Sequence, residues 1–300
     1  MAVHVRDLAY FVAVAEELSF TKAATKRLFV SQPALSKQIR KLEDLVGTDL
    51  FARGNRGITL TAAGEALLPR ARRMIAEWDR AFREIRDAAA TQQQTLTVGF
   101  HTRIGRGLIP GITAAMAERL PGWRLNFRQV SWGDPTVGLA DGGVDVAVAW
   151  LPVPPGDGFA AKTIATEDRW VSLPLNHRLA GRSSVRFAEI QDEPFIALPA
   201  SAGVMRDFWL ATEQRVKPPR IAAEAATADE TFEAVAAGAG VALLSAGNAE
   251  IYRRDDVVHV RVSDLPPCHL AVVRRAGDPR TAVRIVMDAC CRCAADPLVH

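Results

Sequence analysis

Apolar residues recur at helical spacing from the start of the chain. Leu8, Phe11, Val12, Ala15 and Leu18 fall on one face, which predicts a helix over 8–18 with one buried side. A second helix follows with Phe20, Ala23, Ala24 and Leu28 inward and Ser19 or Thr21 as its cap. The small Ala23 and Ala24 allow a close helix crossing. A third helix starts at Ser31, a good N-cap, with Pro33 in its first turn, where a missing N–H costs little. Leu35, Ile39 and Leu42 face its core, and Gln32, Pro33, Ser36, Lys37 and Arg40 lie on the other side. Two short helices, the second polar and basic on its outer face, are how a protein sets a helix in the DNA major groove. The bland alternative is a solvated helix face.

The pattern then changes period. Val46–Phe51 and Ala52–Leu60 hold short extended pieces around a Gly-Asn-Arg-Gly turn, which reads as a β-hairpin. A hairpin after a recognition helix is a wing, and Arg53 and Arg56 belong to its tip or are ordinary surface arginines. A long helix runs from Thr61 to about Ala89. Its Leu67, Ala71, Met74, Trp78, Ala81, Ile85 and Ala88 alternate at intervals of four and three, a heptad seam that calls for a partner helix. About 28 residues span about 42 Å, too long for this small module to cover, so a second copy of the chain is the natural partner. Pro69 is expected to kink the helix. Residues 91–95 lose the pattern and read as a hinge.

From there extended runs alternate with helical ones. Leu96–Phe100, Trp123–Val130, Val144–Trp150, Trp170–Leu173, Phe195–Leu198, Arg220–Ala223, Gly240–Leu244 and Cys268–Val273 read as strands. Helices are expected over 104–120 (Leu108, Ile109, Ile112 and Met116 on one side), from 135 to 140, and over 204–215, 229–237 and 279–294. Such alternation argues an α/β domain with mostly parallel sheets.

Composition alters this picture little. Of 300 residues 49% are hydrophobic and 24% charged, ordinary for a globular chain. Residues 1–90 hold 15 Lys and Arg against 11 Asp and Glu, and the rest 22 against 23, so the small basic excess sits with the helix pair. Neither a signal peptide nor a membrane-spanning run is evident. The cysteines, Cys268, Cys290, Cys291 and Cys293, form no disulfide framework and lack paired metal-ligand spacing. His269 beside Cys268 leaves a metal site open, against incidental thiols. No metal or other cofactor is expected, and a reducing cytoplasm is the expected compartment.

The outer face of the third helix carries suitable chemistry. Gln32 can bond a base edge, Pro33 can touch a thymine methyl, and Lys37 can reach guanine or phosphate. Arg40 suits phosphates, which set affinity and register.

Residues 8–68 resemble the DNA-binding end of the LysR-type transcriptional regulators. The matching words are Phe-Val-Ala-Val-Ala-Glu-Glu, Ser-Phe-Thr-Lys-Ala-Ala, Val-Ser-Gln-Pro-Ala-Leu-Ser-Lys-Gln-Ile-Arg-Lys-Leu-Glu, Leu-Phe and Leu-Thr-Ala-Ala-Gly-Glu, in that order. Further on, Gly142-Gly-Val-Asp-Val-Ala-Val and Ala236-Ala-Gly-Ala-Gly-Val-Ala-Leu-Leu extend the likeness more weakly. The resemblance implies an α+β multidomain chain. A winged helix-turn-helix over 1–60 precedes a dimerising linker helix over 61–90, a hinge at 91–95 and an effector domain over 96–300. That domain is implied to be α/β and periplasmic-binding-protein-like, with two Rossmann-like subdomains, about 96–163 with 266–300 and about 164–265. DNA contacts are implied at Gln32, Pro33, Ser36, Lys37 and Arg53; Ser31, Arg40 and Arg56 are further candidates from their own positions on the helix and the hairpin. The implied partners are operator DNA, a small-molecule effector, RNA polymerase and further copies, as a homodimer or a dimer of dimers, with no membrane.

Ligands of open α/β sheets bind beyond the carboxyl ends of strands. That rule and the resemblance both point to His101, Thr102, Arg103, Trp132, Pro199, Ser201 and Thr227. Arg103 grips a carboxylate effector or is a surface or structural residue. Trp132 stacks on an aromatic ligand or closes the cleft. The peroxide-sensing branch of the family implies a thiol pair mid-domain, and residues 194–225 hold no cysteine.

An enzyme is the least supported class. Gly105-Arg-Gly and Gly238-Ala-Gly form no phosphate loop, and there is no Gly-x-Ser-x-Gly elbow. His4, His259 and His300 read as surface residues. Three readings stand: a ligand-responsive transcription factor, a DNA-binding regulator without effector sensing, and an enzyme with an accidental N-terminal motif.

Overall fold

In the computed structural model the described residues are 3–54, 57–105, 107–154 and 158–295. The chain divides into two compact units, Met1–Ile85 and Arg86–His300.

In the first unit α1 (Val5–Glu17) buries Leu8, Phe11, Val14 and Ala15. Next, α2 (Phe20–Lys22) continues as a wider π-helical segment, Ala23–Leu28. Ser19 caps it, its hydroxyl accepting from the Lys22 N–H, and Ala23 and Ala24 are fully buried at the crossing. The third helix, α3 (Gln32–Val46), buries Leu35, Ile39 and Leu42 and ends at Gly47, whose φ of 74° suits glycine. Ser31 stands at the N-cap, but its side chain makes no capping bond; only its carbonyl is engaged, by the Leu35 N–H. Strands β1 (Phe51–Gly54) and β2 (Gly57–Leu60) pair antiparallel as a hairpin. The Glu43 carboxylate accepts from the Leu50 and Phe51 N–H groups at 2.9 and 3.2 Å, which ties α3 to the root of that hairpin.

The long helix α4 (Ala62–Gln92) begins at Thr61, whose hydroxyl accepts from the Gly64 N–H and donates to the Asp49 carbonyl. It runs unbroken through Pro69. Two expectations about it are corrected. Leu67 and Ala71 pack into the core of the first unit, with Phe11, Leu35 and Phe51, so they are not free for a partner helix. The helix also takes up the first two residues of the expected hinge and the next strand takes its last, leaving Gln93 and Gln94 between them.

The second unit is built on two larger sheets. Strands β3 (Thr95–Phe100), β4 (Arg124–Gln129), β5 (Val146–Trp150) and β6 (Phe159–Glu167) join one sheet. Helix α5 (Leu108–Arg119) links β3 to β4. Strands β7 (Arg169–Pro174) and β8 (Ser184–Val185) open the other. Strand β9 (Pro194–Ala197), α6 (Val204–Trp209), β10 (Arg220–Glu224) and α7 (Ala228–Ala236) follow, then β11 (Ala242–Ser245), α8 (Ala246–Ile251), β12 (Val257–Val262), β13 (Cys268–Arg275) and α9 (Thr281–Ala295). The first sheet runs β4-β3-β5-β13-β6, the second β11-β7-β12-β8, and β9 pairs with β10.

These sheets are mixed rather than mostly parallel. Strands β3, β4 and β5 are parallel, while β13 runs antiparallel to β5 and β6, and β7 antiparallel to β11 and β12. The long strand β6 pairs with β13 as far as Glu167, so the crossing between sheets falls at Asp168 rather than at 163–164. Residues 135–140 form turns, with Val137 at φ 56°, and not a helix. Asp134 organises them, its carboxylate accepting from the Thr136 and Gly138 N–H groups. The helix from 204 stops at Trp209, before Ala211 at φ 51°. Ile109 faces outward while Leu108, Ile112 and Met116 are buried.

Candidate DNA-reading face and effector cavity

The outer face of α3 is laid out by helical geometry. Leu35, Ile39 and Leu42 anchor one side, so Ser31, Gln32, Pro33, Lys37 and Arg40 project outward and are exposed. Ser36 is half-buried, and Gln32 Nε2 donates to its hydroxyl at 2.9 Å. Lys37 stands one turn further on. Arg40 shares a concavity with Glu43, Asp44 and Asp49, so this end of the helix is not uniformly basic. Arg53 lies in β1 opposite Ile58, with its side chain outside the described atoms, and Arg56 lies outside the described residues. Further along α4, Met74, Trp78, Phe82 and Ile85 are exposed at 56%, 53%, 47% and 66%, and Ala81 is exposed between them. Together they form an exposed apolar stripe along one helix.

The second unit holds a cavity between its two large sheets. It encloses about 680 Å³ of space free of atoms, mouth included. His101 and Thr102, beyond the end of β3, and Trp132, beyond the end of β4, form one wall. The facing wall comes from Leu198 after β9, Met205 and Trp209 on α6, Thr231 and Phe232 on α7, and Asn248 and Tyr252 at α8. The Trp132 N–H donates to the Ala226 carbonyl across the cleft at 2.9 Å, so Trp132 both lines the cavity and helps close it.

His101 is 3% exposed, and its Nε2 lies 2.8 Å from the Asp134 carbonyl. That carbonyl needs a donor, so Nε2 carries the proton and Nδ1 is an acceptor. Burial pushes the imidazole below its usual range, and the ring is neutral at pH 7. Asn248 is 6% exposed; its Nδ2 is 3.4 Å from the Thr102 hydroxyl, and its Oδ1 has no partner among the described residues. Ser245 caps α8 by accepting from the Asn248 N–H, which sets that side chain at the cavity. Ser172 lies 2.9 Å from His259 Nδ1, and His259 Nε2 faces the Tyr252 carbonyl at 3.3 Å. His259 is therefore a half-buried structural residue and not a surface one.

Four of the expected effector residues do not line the cavity. Arg103 is exposed, its guanidinium 5.3 Å from the Tyr252 ring centre and its N–H donating to the Tyr252 hydroxyl. Pro199 and Ser201 belong to the turn that follows Leu198, outside the lining, and a Cβ on Gly133 would lie 3.3 Å from Ser201 Oγ. Thr227 is committed to capping α7 through the Glu230 N–H. Asn248, Tyr252 and Ser172 were not expected. The strand-end rule applied to β11, with Ser245 as the cap of the next helix, is the signal that finds Asn248.

Cys268 and Cys290 are buried, and burial pushes the Cys290 thiol up to about 12. His269 Nδ1 lies 3.0 Å from the Thr166 hydroxyl. Among the described residues no His, Cys, Asp or Glu group is arranged to hold a metal ion, and no helix is long and apolar enough to cross a membrane.

Two family models match. Residues 5–65 fit the bacterial regulatory helix-turn-helix protein of the lysR family, and residues 89–293 fit the LysR substrate binding domain. The chain belongs to the LysR family of transcriptional regulators. It is 34% identical over 247 residues to the regulator ShiR of Corynebacterium glutamicum, covering 81% of this chain and 83% of that one. It is 30% identical over 286 residues to HcaR, the Hca operon transcriptional activator of Escherichia coli, covering 93% and 94%. Among solved structures, full-length CbnR complexed with its target DNA superposes with a TM-score of 0.51 at 25% identity, over 97% of this chain and 100% of that one. A full-length BenM variant gives 0.54 at 25% identity, over 98% and 96%. This LysR-family chain is thus a DNA-binding transcriptional regulator with an effector-binding domain. Its α3 face lies inside the first match and its cavity inside the second.

Proposed function

We propose that α3 reads operator DNA through Gln32, Pro33, Ser36 and Lys37, that Ser31, Arg40, Arg53 and Arg56 contact its backbone, and that the cavity bounded by His101, Thr102 and Trp132 holds the controlling effector. The observation that carries this reading is the pairing, in one chain, of an exposed polar helix face on a winged module with an apolar, closable cavity at strand ends. Met74, Trp78, Ala81 and Ile85 join two copies through α4, and two dimers assemble as a homotetramer. The protein works in the cytoplasm alongside RNA polymerase, without enzymatic activity.

A two-fold dimer presents two recognition helices, so its sites are inverted repeats with half-sites spaced by whole helical turns. Selection from random duplexes with the full chain is expected to recover such a repeat. The variant Gln32→Ala/Lys37→Ala is expected to lose it. The same motif from wild type and variant would remove α3 from base reading. Stabilisation by a metabolite panel separates effector sensing from its absence, since a ligand of the folded state raises Tm.

A further inference from the structure

Residues 131–139, beyond the end of β4, are tied to both sides of the cleft. The Ser131 hydroxyl and the Trp132 N–H donate to the Ala226 carbonyl on the far side, at 3.3 and 2.9 Å. The Asp134 N–H donates back to the Ser131 carbonyl at 3.1 Å, which fixes Asp134 to this bridge. The Asp134 carbonyl also accepts from Nε2 of the buried His101 in the cavity wall. A change in the cleft or at His101 therefore reaches Asp134 directly.

The turn that Asp134 holds is strained. Val137 has a φ of 56°, and a β-branched residue enters the left-handed region at a cost. The Asp134 carboxylate keeps it there by accepting from the Thr136 and Gly138 N–H groups on either side, at 2.9 and 2.8 Å. Such a turn keeps its shape only while its clamp is intact. The residues that follow lead to a buried arginine. Arg275 Nη1 donates to the Leu139 and Val144 carbonyls at 3.2 and 2.9 Å. Its Nη2 donates to the Asp87 carboxylate at 2.7 Å, near the end of α4. The guanidinium is a rigid plane, so shifting the carbonyls at Nη1 also shifts the donor that meets Asp87. Arg280 approaches Asp87 at 3.3 Å but is shared with Asp145 and Asp278. Arg86, the neighbour of Asp87 on α4, donates to the Asp141 carbonyl of the same segment.

We propose that the turn at 134–139 and Arg275 form a relay from the effector cavity to the last turns of α4, with Asp87 as the receiving group. The inference rests on the cavity being the effector site and adds the route by which its state leaves it. Asp87 does not line the cavity and acts through Arg275.

The test reads hydrogen exchange over residues 86–92 by mass spectrometry, in the full chain without ligand. The variants are His101→Phe, which removes the donor to Asp134, Asp87→Asn, and the two together. His101→Phe is expected to speed exchange over 86–92 about tenfold and to add nothing in the Asp87→Asn background. Exchange in α3 and β12 is expected to stay as in wild type, which separates this effect from general loosening. Asp134→Asn serves the same comparison if His101→Phe does not fold. Unchanged exchange over 86–92 in the folded cavity variant overturns the relay. So does an equal increase with and without Asp87, since independent sites add. A metabolite panel tests the underlying reading separately. A metabolite that raises Tm is expected to alter exchange over 86–92 in wild type and not in Asp87→Asn. If it raises Tm and leaves 86–92 unchanged, the relay fails and the effector reading stands. If no metabolite raises Tm, the effector reading fails, and the variants alone decide the relay.

Discussion

Single residues carry much of the architecture through close contacts that chemistry alone leaves silent. A Cβ on Gly64 would lie 2.2 Å from the Leu50 carbonyl oxygen and 2.8 Å from Leu60. This glycine lets the start of α4 press against the root of the wing, and backbone cannot step aside as a flexible side chain can. Gly64→Ala is expected to cost about 1–3 kcal/mol in chemical denaturation despite the helix propensity of alanine. A second residue-scale device is the ionic cluster of Asp87, Asp145, Asp278, Arg275 and Arg280. Arg275 bonds Asp87 at 2.7 Å, and Arg280 bonds Asp145 and Asp278 at 2.7 Å each. Burial raises the Asp278 carboxyl, but hydrogen bonds and charge from Arg280, with Arg275 behind, outweigh it and hold it below the usual value of 3.8. A folded-state pKa below the unfolded one gives stability that is present above 3.8 and lost as pH falls through the folded value. The stability gap between wild type and Asp278→Asn is therefore expected to be largest near pH 7 and to close under acid, in urea titrations across that range. A gap independent of pH would mean that the charge is not what Asp278 contributes.

Elements were legible where one periodicity dominated. The faces of α1 and α3 follow from their apolar spacing, except that Leu18 is the left-handed cap that ends α1 and is exposed rather than on its buried side, and the hairpin follows from a glycine-rich turn between short extended runs. Strand β12, Val-Val-His-Val-Arg-Val, was not expected, although its alternation is the signal that would have found it. Strand β6 was hidden for a physical reason: it lies at a sheet edge, is alanine-rich and half-exposed, and shows no alternation. Residues 135–140 form turns and not the expected helix because the Asp134 carboxylate binds two of their N–H groups. The heptad on α4 was right in period and mixed in meaning. Its first two positions, Leu67 and Ala71, serve the core of their own module, while Met74, Trp78 and Ile85 remain exposed. Placing like charges on that stripe with Trp78→Glu/Ile85→Glu is expected to yield folded monomers by sedimentation equilibrium, and weaker operator binding with them. Oligomers of unchanged size would remove α4 from the interface.

At the scale of the whole molecule, the two family matches divide the labour between a DNA-binding module and an effector-binding domain. The sequence showed this division because each module has its own signature, a helix pair with a wing and a series of strands and helices. The cavity was only half legible. His101, Thr102 and Trp132 follow from strand ends, whereas Asn248, Ser172 and Tyr252 are brought in from 40 to 151 residues away by the return of the chain through β7, β11 and α8. Arg103 looked suited to an anion by charge, yet its side chain turns onto Tyr252, because a flat ring accepts a guanidinium without the cost of burying it in the cavity. The DNA face and the cavity are separable, so that either can be altered without loss of the other. The most direct test is an anisotropy titration of the selected operator duplex against wild type, Gln32→Ala/Lys37→Ala and Thr102→Val. The α3 variant is expected to lose about 10- to 100-fold in specific affinity and Thr102→Val to bind like wild type. Full operator affinity in the α3 variant, or its loss in the cavity variant, would show that α3 does not read the operator or that the two sites are not separable.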